Sequence, residues 1–219
     1  MKIYDFTNKN SLLAQFVREL RDVTIQNDRM RFRRNIERIG EILSYEISKT
    51  LNYNAEEITT PLDNITVNQC SDNIVLGTIF RAGIAFHHGF LNYFDKAENA
   101  FVSAFRKYKD TLKFDVHIEY IATPNLDDKV LILVDPMLAT GVSMELSMNA
   151  LLTKGKGKPK HIHLVSIIAS QEAIRYLEER IKDTNVSLWV AVVDPEINEH
   201  SYIVPGLGDA GDLAYGEKM

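Results

Sequence analysis

"KVLILVDPMLATGVS", residues 129 to 143, decides the fold. Val130 to Val134 are branched aliphatics in an unbroken run, with no polar face. A strand with one wet face alternates, so this pattern reads as a strand covered on both sides. The run ends in a carboxylate, Asp135, and a short loop with Thr140, Gly141 and Ser143 follows. Beyond it Met144, Met148, Leu151 and Leu152 fall on one helical stripe. A doubly covered strand feeding a helix implies a crossover to a parallel neighbour.

Working outward, the same alternation recurs. "IVLGTIF" (74–80) is a short β-rich run, followed by a glycine-punctuated turn and an apolar stretch to Phe94. "NAFVSAF" (99–105) and "HIHLVSII" (161–168) are further strands. "SQEAIRYLEERI" reads as a helix with Ser170 as N-cap, and "VSLWVAVV" (186–193) as the last buried strand. The expected fold is α/β, a doubly wound and mostly parallel sheet. The first fifty residues are expected to be helical, since Phe32, Ile36, Ile39, Leu43, Ile47 and Leu51 recur at steps of three and four. Asn52 to Asp72, broken by Pro61, reads as an irregular or short-strand connection. Without repeats or a clear linker, residues 1–219 are expected to form one domain. Its parts are a helical segment 1–52, an α/β core 73–193 and a closing segment 194–219.

The 219 residues are 45% hydrophobic and 25% charged, with a formal charge of −5, the profile of a globular chain with a real core. That charge argues against nucleic acid as a partner. The basic cluster "RMRFRR" (29–34) is balanced by acids downstream and reads as a solvated helix face. One cysteine, Cys70, excludes an intramolecular disulfide and sits in a polar run without a nearby histidine. No basic-then-apolar leader and no membrane-length apolar run are present, so the expectation is a cytoplasmic protein without a membrane partner.

In a doubly wound sheet, ligands bind beyond the carboxyl ends of the strands. Three such positions stand out. After 130–134, Asp135 precedes a Thr/Gly/Ser loop that opens a helix, a setting that suits a phosphate. It suits equally a helix merely capped by Thr140 or Ser143. It is neither a G-x-G-x-x-G fingerprint nor a P-loop. After 74–80 comes Arg81, whose guanidinium beside the Ala82–Gly83 backbone matches phosphate oxygens. His87 and His88, being adjacent on a helix, point apart and make no metal pair. Arg106, in "FRKYKDTLKFD", is read as following a third strand and opening a charged hairpin or flap with Lys107, Lys109 and Lys113. A solvated loop and a lid over an anion fit that run equally well. Together these loops suggest a substrate with phosphate at two places and a polyhydroxylated part between them.

"DPMLATGVS" resembles the phosphoribosyl-pyrophosphate loop of type I phosphoribosyltransferases. "FRAG" is similar to the pyrophosphate loop, and "YIVPGLGDAGD" (202–212) to the base-binding loop, of the uracil phosphoribosyltransferase family. The resemblance runs over essentially the whole chain. It implies transfer of a phosphoribosyl group from phosphoribosyl pyrophosphate to uracil, giving UMP and diphosphate, with Mg²⁺. It further implies a homodimer or higher oligomer, and allows GTP as an effector.

Carried over motif by motif, Arg81, Ala82, Gly83 and Arg106 contact the pyrophosphate-bearing substrate. Asp135, Pro136, Met137, Leu138, Ala139, Thr140, Gly141, Val142 and Ser143 hold its ribose and 5′-phosphate. Tyr202, Ile203, Gly208, Asp209 and Ala210 take uracil, with Asp209 also near the phosphoribosyl substrate or its metal, which is otherwise held by substrate. Arg81, Arg106 and Asp209 are the implied catalytic groups. Uracil differs from cytosine in one carbonyl and one N–H, which fixed backbone groups at Ile203 and Ala210 can read. The family's second loop glycine is Val142 here. A β-branched residue is costly at positive φ, so Val142 is expected to take helical dihedrals and begin the helix. His88, where the family has Asp, and the missing acid pair after Arg106 are further departures.

Overall fold

The computed structural model describes residues 1–108 and 114–218, with side chains described outside 105–116. In chain order the elements are β1 (Lys2–Asp5), α1 (Leu12–Arg21), α2 (Arg29–Ser48), β2 (Tyr53–Thr59), β3 (Asn64–Cys70), β4 (Ile74–Phe80) and α3 (Gly83–Leu91). Then come β5 (Glu98–Tyr108), β6 (Phe114–Ala122), β7 (Val130–Val134), β8 (Met137–Leu138) and α4 (Val142–Lys154). The last are β9 (His161–Ser170), α5 (Gln171–Arg180), β10 (Val186–Asp194), β11 (Glu196–Ile197), β12 (Ile203–Val204) and α6 (Ala210–Tyr215).

The main sheet runs β1-β10-β9-β7-β4-β5-β6, with β8 beside β9. All its pairings are parallel except β5 with β6, which are antiparallel. This is the doubly wound α/β sheet that the aliphatic run at 130–134 demands, and β7 is buried along its whole length. Two apolar layers cover the sheet. One holds Phe32, Ile36, Ile39, Leu43 and Ile47 of α2 with Phe86 and Phe90 of α3. The other holds Met144, Met148 and Leu151 of α4 with Ala173 and Leu177 of α5. Leu152 packs at the edge of that second layer, partly buried.

The structure corrects two expectations. Residues 2–5 are a strand, not part of a helical segment: they extend the sheet by pairing in parallel with β10. Tyr4 stacks on Trp189 with ring centroids 3.7 Å apart and planes 3° from parallel, a contact with a partner far along the chain. Arg106 does not follow a strand either. Antiparallel pairing carries β5 on to Tyr108, with Arg106 opposite Val116. Residues 109–113, including Lys109 and Lys113, lie outside the described residues, as do the side chains of Arg106 and Lys107.

The connection 52–72 is a two-stranded antiparallel ribbon, β2 with β3, apart from the main sheet. Its turn is built by Thr60, whose hydroxyl accepts from Leu62 and Asp63 N–H at 3.2 and 3.1 Å. Every residue of β2 is exposed, and so are Ile58, Leu62 and Ile65. The basic cluster is tied down rather than presented. Arg31 pairs with Glu19, Arg34 with Glu37 and Glu41, and Arg33 donates to the Ala214 carbonyl at 2.7 Å. Among the described residues no helix is long and apolar enough to cross a membrane.

One buried group makes the fold sensitive to acid. Trp189 Nε1–H donates to His163 Nδ1 at 3.0 Å. Because indole only donates, Nδ1 must be the bare nitrogen, which fixes a neutral tautomer. Burial first, then the neighbouring His161, push the His163 pKa down to about 3. An unfolded chain takes up this proton below about pH 6.5, and the folded one does not. The stabilisation is therefore complete above pH 6.5 and is lost as pH falls toward 3. We predict that between pH 6.5 and 5 this site removes roughly 1 kcal/mol per pH unit. His163→Gln, which keeps an acceptor for Trp189, should flatten that slope in urea unfolding at the two pH values.

Candidate active site

The strand order reverses between β4 and β7: from β4 the chain moves outward to β5, and from β7 the other way to β9 and β10. That is the switch point at which a doubly wound sheet opens a crevice. Thr78 of β4 stands beside Val134 of β7, so the loops after both strands leave the sheet side by side. Arg81, Ala82 and Gly83 come from one, and Asp135 to Gly141 from the other. Gly83 packs so tightly that a Cβ there would lie 2.3 Å from Thr78 Oγ1 and 3.3 Å from the Val134 carbonyl.

Two helices start at this crevice, α3 and α4, and neither has a side-chain cap. By contrast α2, α5 and α6 are capped by Asp28, Ser170 and Asp209, although α1 is uncapped as well. The capping alternative for Thr140 and Ser143 is thereby removed. The N-cap of α4 is Gly141, at φ +82°, where a Cβ would also lie 2.9 Å from the Tyr176 ring. Val142 is the first residue of α4 and is not among the positive-φ residues. The glycine missing at 142 is therefore not needed, because Gly141 alone makes the left-handed turn.

The loop is propped from behind. Asp135 N–H donates to the Val165 carbonyl, and the Pro136 carbonyl accepts from Ile167 and Ile168 N–H at 3.1 and 3.0 Å. Ser170 donates to the Ala139 carbonyl at 2.6 Å while accepting from Ala173 N–H at 2.9 Å. Met137 N–H reaches Asp135 Oδ1 at 3.3 Å. Glu145, the acid in the first turn of α4, is held by Tyr176 and Arg180.

The closing segment is held by a network that sequence reasoning alone does not single out. Asp194, buried at the end of β10, takes a bidentate fork from Arg21 at 2.8 and 2.9 Å and the Gly206 N–H at 2.9 Å. Arg21 also donates to the Gly206 carbonyl at 3.2 Å, and Gln26 to that of Leu207 at 3.2 Å. Gly206 sits at φ +55°, and a Cβ there would strike the Ile203 carbonyl at 2.1 Å. Tyr202 N–H is held by Asn198 Oδ1, Ile203 pairs with Ile197, and Val204–Pro205 is cis. Asp209 caps α6 by accepting from Asp212 N–H at 3.0 Å, and Ala210 is the first residue of that helix. Arg81 reaches this segment, donating to Asp212 at 2.5 Å and to the Gly216 carbonyl at 3.0 Å. The structure thus brings Arg81 to the C-terminal segment directly.

A signal for Asp194 is present in the sequence: like Asp135, it is a carboxylate ending an aliphatic strand. A cavity of about 540 Å³ lies beside the same Arg21–Asp194 pair, between α1, β10 and the residues Phe6 and Thr7 that follow β1. None of the loop residues 135–143 line it, so roominess and the candidate chemistry do not coincide there.

The model of the family described as uracil phosphoribosyltransferase matches residues 7–217. The chain belongs to that family. It is 63% identical over its full length, and that of the relative, to the uracil phosphoribosyltransferase of Porphyromonas gingivalis. Identity to the enzyme of that name from Methanothermobacter thermautotrophicus is 38%, over 84% of this chain and 83% of the relative. A solved structure, the AQ2163 protein from Aquifex aeolicus, superposes with a TM-score of 0.86 at 30% identity, covering 98% of both chains. Membership makes this chain a pentosyltransferase of pyrimidine salvage, acting on uracil.

Asp194→Asn keeps the shape but removes the charge that clamps Arg21 and Gly206. We predict about 1–3 kcal/mol of lost stability in thermal melts, because the Arg21 fork is left partly buried and unpaired. The uracil KM should rise more than that of the second substrate. An unchanged uracil KM would show that this clamp has no bearing on uracil binding.

Proposed function

We propose that the crevice between β4 and β7 holds phosphoribosyl pyrophosphate and that the segment 202–210 holds uracil above it. The observation that supports this most is the pair of uncapped helix N-termini, α3 and α4, at the switch point beside Arg81 and Asp135. Two positive dipole ends without side-chain caps suit a substrate that carries phosphate at two places. The α4 loop, Asp135 to Ser143, takes the 5′-phosphate and ribose, and the loop Arg81-Ala82-Gly83 takes the diphosphate.

In the reaction N1 of uracil forms a bond to C1′ as the C1′–O bond to diphosphate breaks, and the N1 proton passes to the departing diphosphate or to water. No covalent nucleophile is called for. The chain's contribution is positioning and the stabilisation of charge on the leaving group. Arg81 and Arg106 neutralise the departing diphosphate, and Asp209 stands by the developing positive charge at C1′. Tyr202, Ile203, Gly208 and Ala210 shape the base subsite, with the Ile203 and Ala210 backbone reading uracil against cytosine. When bound, Mg²⁺ supplies further neutralising charge to the diphosphate. The described residues offer single carboxylates and no cluster of three metal-binding side chains, a donor set that fits an ion carried mainly by substrate oxygens, with Asp209 contributing.

We propose further that the chain works as a homodimer in the cytoplasm. The β2–β3 ribbon exposes Ile58 and Ile65 on its strands and Leu62 at its turn, and an isolated two-stranded ribbon is marginal in water. A second copy is the occupant that would cover it.

Assay with uracil, phosphoribosyl pyrophosphate and Mg²⁺ should give UMP, and cytosine should give none. Running it with and without GTP decides the effector question. Arg81→Ala should cut kcat/KM for phosphoribosyl pyrophosphate on the order of a hundredfold with little change in melting temperature. Asp209→Asn should lower turnover about tenfold or more, and since Asn caps helices as well as Asp, the loss would report charge and not folding. Wild-type rates in either variant would remove that residue from the site.

A further inference from the structure

Arg81 is engaged with the C-terminal segment in this structure. Its Nη2 donates to Asp212 at 2.5 Å and its Nη1 to the Gly216 carbonyl at 3.0 Å. A Cβ placed on Gly211 would lie 3.4 Å from Nη2 and 3.8 Å from Nε. The Nε–Nη2 edge, which forks phosphates best, therefore lies over α6. The same helix closes on itself at both ends of this contact. Asp212 N–H is held by Asp209, and Gly216 N–H donates to the Asp212 carbonyl at 2.8 Å. Asp209 and Ala210 belong to the base-reading segment, so one arginine ties the loop after β4 to the segment that takes uracil.

We infer that Asp212 is a positioning residue that competes with the diphosphate group for Arg81, so that filling the diphosphate subsite releases the hold on α6. This rests on the reading of Arg81 as a diphosphate ligand. A diphosphate brings several negative charges to a guanidinium whose preferred edge faces Asp212. It cannot take that edge while the carboxylate keeps it, and the carboxylate itself repels the anion. Arg81 and Asp212 are both partly exposed, at 37% and 29%, so the pair is a weak latch and not a buried lock.

The test is binding of inorganic diphosphate, and of phosphoribosyl pyrophosphate with Mg²⁺, measured by calorimetry without uracil. Asp212→Asn keeps the side-chain shape and should bind both about two- to fivefold more tightly than wild type, the range of an exposed ion pair. Asp212→Glu, which restores the charge, should return to wild-type affinity. Hydrogen exchange adds an independent readout: in wild type, diphosphate should speed exchange of the amides 212–216, whereas in Asp212→Asn they should exchange fast without it. Equal or weaker binding by Asp212→Asn would overturn the inference, and Asp212 would then be an orienting partner for Arg81. Should Asp212→Asn melt early, Asp212→Ser serves the same comparison. Because the readout is diphosphate affinity, the result holds whether or not uracil is turned over. Failure of turnover strikes only the functional reading.

Discussion

The parallel pairing of β4 with β7 is the constraint on which the rest depends. It puts Thr78 against Val134 and so delivers two loops, one with Arg81 and one with Asp135, to the same crevice. Both strands are buried on both faces, so the register cannot slip without losing the core. The helices that follow begin where the strands stop, and their N-termini inherit the position. Helix N-termini placed this way depend on few side chains for their position, since the fold itself brings them together.

The closing segment obeys a different logic. It has short pairings of its own, β11 with β12 and the six-residue α6, too little to hold a loop in place. Its order is borrowed from the N-terminal helices through Arg21, Gln26 and Arg33, which reach Asp194, Leu207 and Ala214. Charge-assisted bonds to a buried carboxylate and to carbonyls substitute for a core. The closing segment is thus supported by residues far from it in sequence, while the loop 135–143 is supported by the adjacent strand β9.

This difference explains what can be read from the sequence. The sheet, α4 and the loop 135–143 are legible because their signals are local: an aliphatic run, a strand-end carboxylate, a glycine at the turn. Even Val142 can be placed, since its shape forbids the alternative. The parts that escape such reading are long-range. Nothing in "KIYD" announces a partner at residues 187–190, and Arg21 carries no local sign of Asp194. Arg106 is misplaced by its local pattern because cross-strand pairing with β6 extends a strand whose polar residues look like its end. Asp212 gives no sign of its role because its partner, Arg81, lies 131 residues away.

The stacking of Tyr4 on Trp189 has a consequence for biosynthesis. During synthesis residues 2–5 are made about 180 residues before the strand they pair with, Ser187 to Val190. Until β10 is made β1 has no strand to pair with, and Arg21 waits for Asp194 in the same way. Contacts of such sequence separation form late and slowly. The N-terminal segment must therefore stay unpaired until β10 has cleared the exit tunnel. The closing segment, clamped by the same late contacts, is among the last parts of the molecule to acquire its shape.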